Sequence, residues 1–422
     1  MLILRGINGY SEIDEKLKMK FNDYLRFALR EVPFYREMAK DFGDLRVEQL
    51  FRFPLTYDHH LLDVPDSFVP EQSRPVQVTC SGGTYGRRKL ILRTNHDIRA
   101  STETTAAMFR QCGIQVGSSV AILQPFDLWN IGHLALRALQ EIGALAIPAG
   151  MSLDDEAFLR LVQSLQCNTI YSTPSKAVHL AELADQMGIV DQLTITKVLC
   201  AGEPVLPYHR EKVRAVLGAH IQGIYGSEET DGLGIECPSN GDYHLVGEAL
   251  VIEILDSRSL MPAEDNRGLL AFTMLGYTGT VLVRYVLGDV AELVTETCDC
   301  GLESPRLRLL GRSKEVLWLF DGIKVPITSI EDAIKATLNT VPPYQVELER
   351  TAGIEKICVK IGQALDQRTV RLVQQAITTS TQELDTYVRD DRMDIHIRSV
   401  DESGFYRTER GKVPRIVDRR RG

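Results

Sequence analysis

Between Glu15 and Met38 apolar residues recur at Leu17, Phe21, Leu25 and Ala28, the spacing of one helix face, and Val32-Pro33-Phe34-Tyr35 breaks the period. The pattern predicts an amino-terminal helical cap. From about Ser73 to Gly223, short apolar runs at 120–123, 144–147 and 196–199 alternate with helical patterns over 157–166 and 177–187. Such alternation predicts β-α units around a mainly parallel sheet. Over 244–294 the chain turns to strands rich in Val, Leu and Ile, broken by turn sequences such as Asp265-Asn266-Arg267-Gly268, and an antiparallel sheet or small barrel within the same large domain is expected. Beyond Gly311-Arg312, helical stretches at 329–338 and 366–380 and strands near 345–348 and 395–400 predict a compact α+β unit. The expected fold is α/β, with a large amino-terminal domain over residues 1–311 and a small carboxy-terminal domain over 312–422. No internal repeat or low-complexity segment interrupts it.

The 422 residues, 44% hydrophobic and 25% charged, suffice for one large core and a smaller one. No apolar run reaches the eighteen or so residues of a membrane span, and the amino terminus lacks a secretory signal, so a cytoplasmic protein without a membrane partner is expected. A net charge of −9 argues against sequence-blind nucleic-acid binding. Arg419-Arg420-Arg421 at the end reads as a solvated, frayed terminus. Of the eight cysteines, Cys80, Cys112, Cys167, Cys200 and Cys358 stand apart and are expected to pack as small hydrophobes.

Chemistry concentrates in a few segments. Residues 78–89, Val-Thr-Cys-Ser-Gly-Gly-Thr-Tyr-Gly-Arg-Arg-Lys, put three glycines and three aliphatic hydroxyls before three cations, a composition that suits a polyphosphate. Taken singly, a glycine-rich turn is a weak signal, and the Gly-Lys-Ser/Thr ending of a P-loop is missing. The same chain also carries Ala201-Gly202-Glu203-Pro204, Tyr225-Gly226-Ser227-Glu228-Glu229, Arg284-Tyr285-Val286-Leu287-Gly288-Asp289, Gly311-Arg312-Ser313-Lys314-Glu315 and Arg410-Gly411-Lys412-Val413-Pro414-Arg415. Their order and spacing resemble the adenylate-forming superfamily. Together with Val32-Pro33-Phe34-Tyr35-Arg36, Tyr171-Ser172-Thr173-Pro174-Ser175 and Asp321-Gly322-Ile323-Lys324-Val325-Pro326, they resemble its phenylacetate-CoA ligase family nearly end to end.

The resemblance implies an enzyme that uses ATP and Mg²⁺ to convert a small carboxylic acid, most simply an aromatic one, into an acyl-adenylate and then a thioester of CoA or another thiol. By position, it assigns Ser81, Gly83, Thr84, Gly86 and Arg87 to the phosphates, and Tyr225, Gly226, Ala201, Gly202 and Glu203 to the adenine. Glu229 would help hold Mg²⁺, Asp289 would meet the ribose, and Arg312 would join the nucleotide contacts. Lys412 would stabilise the charge that builds up as the carboxylate attacks the α-phosphate. Lys314 would be the hinge pivot and Gly322 would open the thiol channel. Phe126 and Trp129 would face the acid, although both could equally be core residues.

Cys237, His244, Cys298 and Cys300 offer three thiols and one imidazole, a tetrahedral zinc set, and some members of the family carry a metal at matching positions, which implies a structural Zn²⁺. The chain departs from the family in the phosphate loop, where Gly82 and Tyr85 replace hydroxyl residues. It departs again at Val286-Leu287, where a cation and a hydroxyl are lost. These departures leave a degenerate nucleotide- or acyl-binding protein as one alternative. An adenylating enzyme that loads an acyl or aryl carrier protein or forms an amide is another, and a homodimer is left open.

Overall fold

The apolar stripe expected near the amino terminus forms the helix Glu15–Glu31, whose Phe21, Leu25 and Ala28 are buried while Arg26 and Arg30 face solvent. Pro33 opens the next helix, Pro33–Met38, at the one turn where a missing N–H costs nothing. Tyr35 there is fully buried; its hydroxyl accepts the Val283 N–H at 2.8 Å and donates to the Val281 carbonyl at 3.2 Å. The computed structural model describes residues 2–4, 15–38, 47–81, 89–247, 250–256, 259–264, 266–312, 316–319, 324–351, 354–380, 382–390, 392–407 and 413–420.

Twelve strands hydrogen-bond in the order Leu2–Leu4, Leu250–Leu255, Arg267–Met274, Tyr285–Val294, Arg306–Arg312, Tyr243–Leu245, Asp231–Glu236, His220–Ser227, Lys197–Cys200, Thr169–Ser172, Ser119–Ile122 and Leu145–Ile147. The last five are parallel and the helices Asn95–Gln111 and Asn130–Ile142 pack on them through Phe109, Ala135, Leu139, Val120 and Leu199. The strands expected as an antiparallel sheet or small barrel lie in the same order, joined to the parallel ones by one shared strand. His220–Gly223 pair in parallel with Lys197–Cys200, whereas Ile224–Ser227 pair antiparallel with the strand Asp231–Glu236. Parallel and antiparallel geometry therefore meet at Tyr225, just past the carboxyl ends of the parallel strands, where α/β sheets leave a crevice for ligands.

The chain divides into two compact units, one of Met1–Val205, His209–Leu287 and Ala291–Leu309, the other of Leu206–Tyr208, Gly288–Val290 and Leu310–Gly422. The second has a four-stranded sheet ordered Met393–Ser399, Ile354–Ile361, Tyr344–Thr351, Ile416–Asp418. Its core joins Val346, Ile357 and Val359 of the sheet to Ile330 and Ile334 of the helix Ile327–Leu338 and to Val373 and Ile377 of the helix Gln367–Thr378.

The frayed terminus is a correction. Ile416–Asp418 is a parallel edge strand on Val346–Leu348, with Arg419 on Glu347 at 2.9 Å and Arg420 on Glu355 at 3.0 Å. Arg419 and Arg420 are held by carboxylates far away in sequence, and Arg421 and Gly422 lie outside the described residues. The five solitary cysteines are buried free thiols, as expected.

Candidate functional site

The segment expected to meet a polyphosphate is flanked by a two-stranded hairpin, Gln77–Ser81 against Lys89–Arg93, in which Ser81 faces Lys89 and Thr79 faces Ile91. Strand alternation turns Thr79, Ser81, Lys89, Ile91 and Arg93 inward and leaves Val78 and Leu90 exposed. Two cations are thus driven into the protein, and each meets carboxylates. The Lys89 ammonium lies 2.5 Å from Glu229 Oε1, 2.9 Å from Asp58 Oδ1 and 3.2 Å from the Tyr285 hydroxyl, which itself donates to Asp58 at 2.6 Å. Burial lowers the Lys89 pKa, but Glu229 and then Asp58 hold it above the ordinary lysine value. Burial, Glu229 and Asp58 together push the Tyr285 phenol up.

Arg93, 1% exposed, donates to Asp231 Oδ1 at 2.8 Å, to the Glu228 carbonyl at 2.5 Å and to Thr79 Oγ1, with the Glu228 carboxylate at 3.3 Å. Asp231 also accepts from Asn130 Nδ2 at 2.8 Å and Ser101 Oγ at 2.5 Å. Glu228 accepts the Asn130 backbone N–H at 3.2 Å, at the start of the helix Asn130–Ile142. The turn between His220–Ser227 and Asp231–Glu236 is held closed by these contacts, and Gly226 is required in it, because a Cβ there would lie 2.1 Å from the Asp231 carbonyl oxygen.

One buried guanidinium serves two carboxylates, and burial raises Glu228 to about 7 despite Arg93. A carboxyl whose folded pKa is raised stabilises the fold fully below its unfolded value, near 4.5, and that stabilisation is lost as pH rises through about 7. Glu228→Gln removes the titration. The stability of wild type relative to Glu228→Gln is expected to fall by about 3 kcal/mol between pH 4.5 and 8, read from urea unfolding at each pH. A difference that does not change with pH would refute the shift.

Ala201, Gly202 and Glu203 follow the strand Lys197–Cys200, whose Cys200 pairs with Gly223, two residues before Tyr225. The Ala201 N–H donates to the Ser172 carbonyl at 3.1 Å, Glu203 accepts the Ser175 N–H at 3.3 Å, and Gly202 has φ +87°. The Tyr225 ring lies 5.7 Å from that of Tyr243. Phe126 and Trp129 sit in the loop after the strand Ser119–Ile122, both half-buried. Phe126 packs edge-on to His133 at 5.4 Å, and Trp129 immediately precedes the helix Asn130–Ile142. Leu128 of this loop accepts the Cys80 N–H at 2.8 Å, which ties the loop to the hairpin.

The four metal-ligand candidates converge: one donor atom from each of Cys237, His244, Cys298 and Cys300 lies within 4.8 Å of the others. Cys237 and Cys298 sulfurs are 3.4 Å apart, and Cys300 Sγ is 3.1 Å from His244 Nε2. Tetrahedral zinc at ordinary Zn–S length spaces its sulfurs by about 3.8 Å, inside this range. His244 is buried, its Nδ1 lies 3.2 Å from both the carbonyl and the hydroxyl oxygen of Ser304, and its Nε2 faces the Cys300 thiol. The Cys300 N–H chiefly lowers Cys298 to about 6, and burial raises Cys300. The loop bearing both is pinned by Arg306, which donates to Asp242 at 3.2 Å and to the Glu296 carbonyl at 2.8 Å.

Asp289 lies within the strand Tyr285–Val294 and Arg312 ends the strand Arg306–Arg312. Gly83, Thr84, Gly86, Arg87, Lys314, Gly322 and Lys412 lie outside the described residues. On either side of Lys412's segment, buried Gln345 donates to the Tyr406 and Pro414 carbonyls, each at 2.9 Å, and accepts the Tyr406 N–H at 2.8 Å.

Asp58, Arg93 and Asp231 were not singled out from sequence, Glu228 was quoted in a motif without a role, and Lys89, expected among the cations facing a polyphosphate, instead pairs with Glu229 and Asp58. The available signal was Lys89 and Arg93 four apart on one strand face, with a carboxylate-rich turn elsewhere in the chain.

A family model described as AMP-binding enzyme matches residues 28–269. A phenylacetate-coenzyme A ligase of Thermus thermophilus is 26% identical over 367 residues, 82% of this chain and 81% of the relative. One of Pseudomonas putida is 26% identical over 417 residues, 94% of this chain and 92% of the relative. Among solved structures, 2-hydroxyisobutyryl-CoA ligase in the postadenylation state superposes with a TM-score of 0.77 at 19% identity, over 97% of this chain and 90% of that one.

Proposed function

Because the chain belongs to the AMP-binding enzyme family, with phenylacetate-CoA ligase-like relatives across most of its length, we propose that it is an AMP-forming acid–CoA ligase. The observation that carries this reading is the buried Glu229–Lys89 pair set beside the phosphate-loop hairpin, at the carboxyl ends of the parallel strands. In the first step the substrate carboxylate attacks the α-phosphorus of ATP and pyrophosphate leaves. In the second, a thiol attacks the acyl-adenylate carbonyl and AMP leaves.

Ser81, whose hydroxyl has no partner among the described residues, is free to meet a phosphate with Gly83, Thr84, Gly86 and Arg87. Tyr225 and Gly226 on one strand and Ala201–Glu203 on its neighbour's end flank the adenine, and Asp289 takes the ribose hydroxyls. Glu229, an oxygen donor already facing a cation, suits Mg²⁺, which when bound draws charge from the phosphates. Phe126 and Trp129, beside the hairpin, favour a flat aromatic acid. Lys412 serves the first step, and Lys314 and Gly322 serve the change to thiol transfer. Incubating the protein with ATP, Mg²⁺ and an arylacetic acid, then offering CoA, a phosphopantetheine carrier protein or an amine, tests the acceptor. Thioester with CoA is expected, and discharge only onto a carrier protein or an amine overturns that part.

The Cys237, His244, Cys298, Cys300 cluster suits a structural Zn²⁺, since its four converging N and S donors are the number a closed tetrahedral site takes. Purified protein is expected to hold about one zinc per chain and Cys298→Ser to lose it, with a lower thermal midpoint, by metal analysis and calorimetry. Metal-free native protein would exclude the site. Among the described residues no helix is long and apolar enough to cross a membrane.

A further inference from the structure

We propose that Lys89 is a positioning residue whose ammonium occupies the cation seat of Glu229 before nucleotide arrives, so that the protein refuses a free divalent ion and admits one only with a nucleotide. The inference rests on the reading of Glu229 as the residue that meets Mg²⁺.

The Lys89 ammonium touches three oxygens: Glu229 Oε1 at 2.5 Å, Asp58 Oδ1 at 2.9 Å and the Tyr285 hydroxyl at 3.2 Å. The Lys89 side chain is 10% exposed and that of Glu229 3%, so the pair is shielded from the solvent and salt that weaken surface pairs. An ionised carboxylate so buried needs a cation, and Lys89 supplies it. Mg²⁺ takes its oxygens at about 2.1 Å. An ammonium on the same Oε1 would then stand within a few ångströms of a doubly charged ion, and the two repel.

The three contacts give the ammonium somewhere to go. Asp58 is 41% exposed, and its link to the Tyr285 hydroxyl makes a second acceptor pair beside Glu229. Lys89 can release Glu229 and keep both. A free divalent ion must displace the ammonium unaided, whereas a nucleotide-bound ion arrives with phosphate oxygens that offset the two cations' repulsion.

Mn²⁺ binding without nucleotide, followed by the electron paramagnetic resonance of the free ion, tests this on wild type, Lys89→Met, Lys89→Arg and Lys89→Met/Glu229→Gln. Lys89→Met is expected to bind one Mn²⁺ at least about tenfold more tightly than wild type, because the competing charge is gone. Lys89→Arg should behave as wild type, and the double variant should lose the gain. Lys89→Gln replaces Lys89→Met if the latter does not fold. A folded, uncharged variant with wild-type Mn²⁺ affinity overturns the proposal, as does a gain that survives Glu229→Gln. Pyrophosphate exchange by wild type without the Mn²⁺ gain would refute Lys89's role and leave the ligase reading standing. The gain without any exchange would do the reverse.

Discussion

Alanine at Lys412 is expected to lower acid-dependent ATP–pyrophosphate exchange about a hundred- to a thousandfold, the usual cost of removing one group that stabilises transition-state charge. The attack on the α-phosphorus spreads negative charge over the phosphoryl oxygens and the departing pyrophosphate, and a cation placed there favours that state over bound ATP. The loss should therefore fall on kcat, with the KM for ATP changed by less than about threefold. Thioester formation from supplied acyl-adenylate does not pass through that state and should survive. On the described flanks of its segment, Gln345 ties Tyr406 to Pro414. Exchange within a few-fold of wild type in Lys412→Ala would remove Lys412 from the chemistry, and equal loss of both half-reactions would make it structural.

Methionine at Arg93 should cost about 3–5 kcal/mol of stability, the penalty for stripping the cation from buried carboxylates. From the hairpin, Arg93 faces Asp231 and Glu228, and it also satisfies Thr79 and the Glu228 carbonyl. Lysine should rescue little of this, because a single ammonium cannot reproduce the fork of donors. Lower pH should rescue part, because Glu228, freed of the Arg93 charge that holds its pKa down, takes up a proton more readily. Urea unfolding of Arg93→Met, Arg93→Lys and wild type at pH 6 and 8 measures all three. A loss under about 1 kcal/mol would mean that the network contributes little to stability.

Periodicity made most of the scaffold legible. The interrupted helix at the amino terminus, the alternating β-α units and two helices and two strands of the second unit follow from short-range pattern, because each element buries one face, whereas Ile354–Ile361, Gln382–Arg389 and Ile416–Asp418 were not read. The Cys/His set was legible too, as thiols and imidazole bring their chemistry with them. Long-range pairing was not. Lys89 read as one of three cations suited to a polyphosphate and Arg93 carried no signal of its own, and only the hairpin's placement against residues 228–231 turns them into buried ion-pair partners. The carboxy-terminal arginines read as solvated because Glu347 and Glu355 lie some sixty or more residues away in sequence. Charge is judged locally in a sequence, and burial is decided by the fold.

ATP–pyrophosphate exchange by the wild-type protein, over aryl, arylacetic, fatty and amino acids, tests the central claim most directly. Exchange that requires Mg²⁺ and one class of acid, strongest with an aromatic one, is the predicted result. Measurable ATP binding with no exchange for any acid would contradict the account and make the chain a nucleotide-binding protein without adenylating activity.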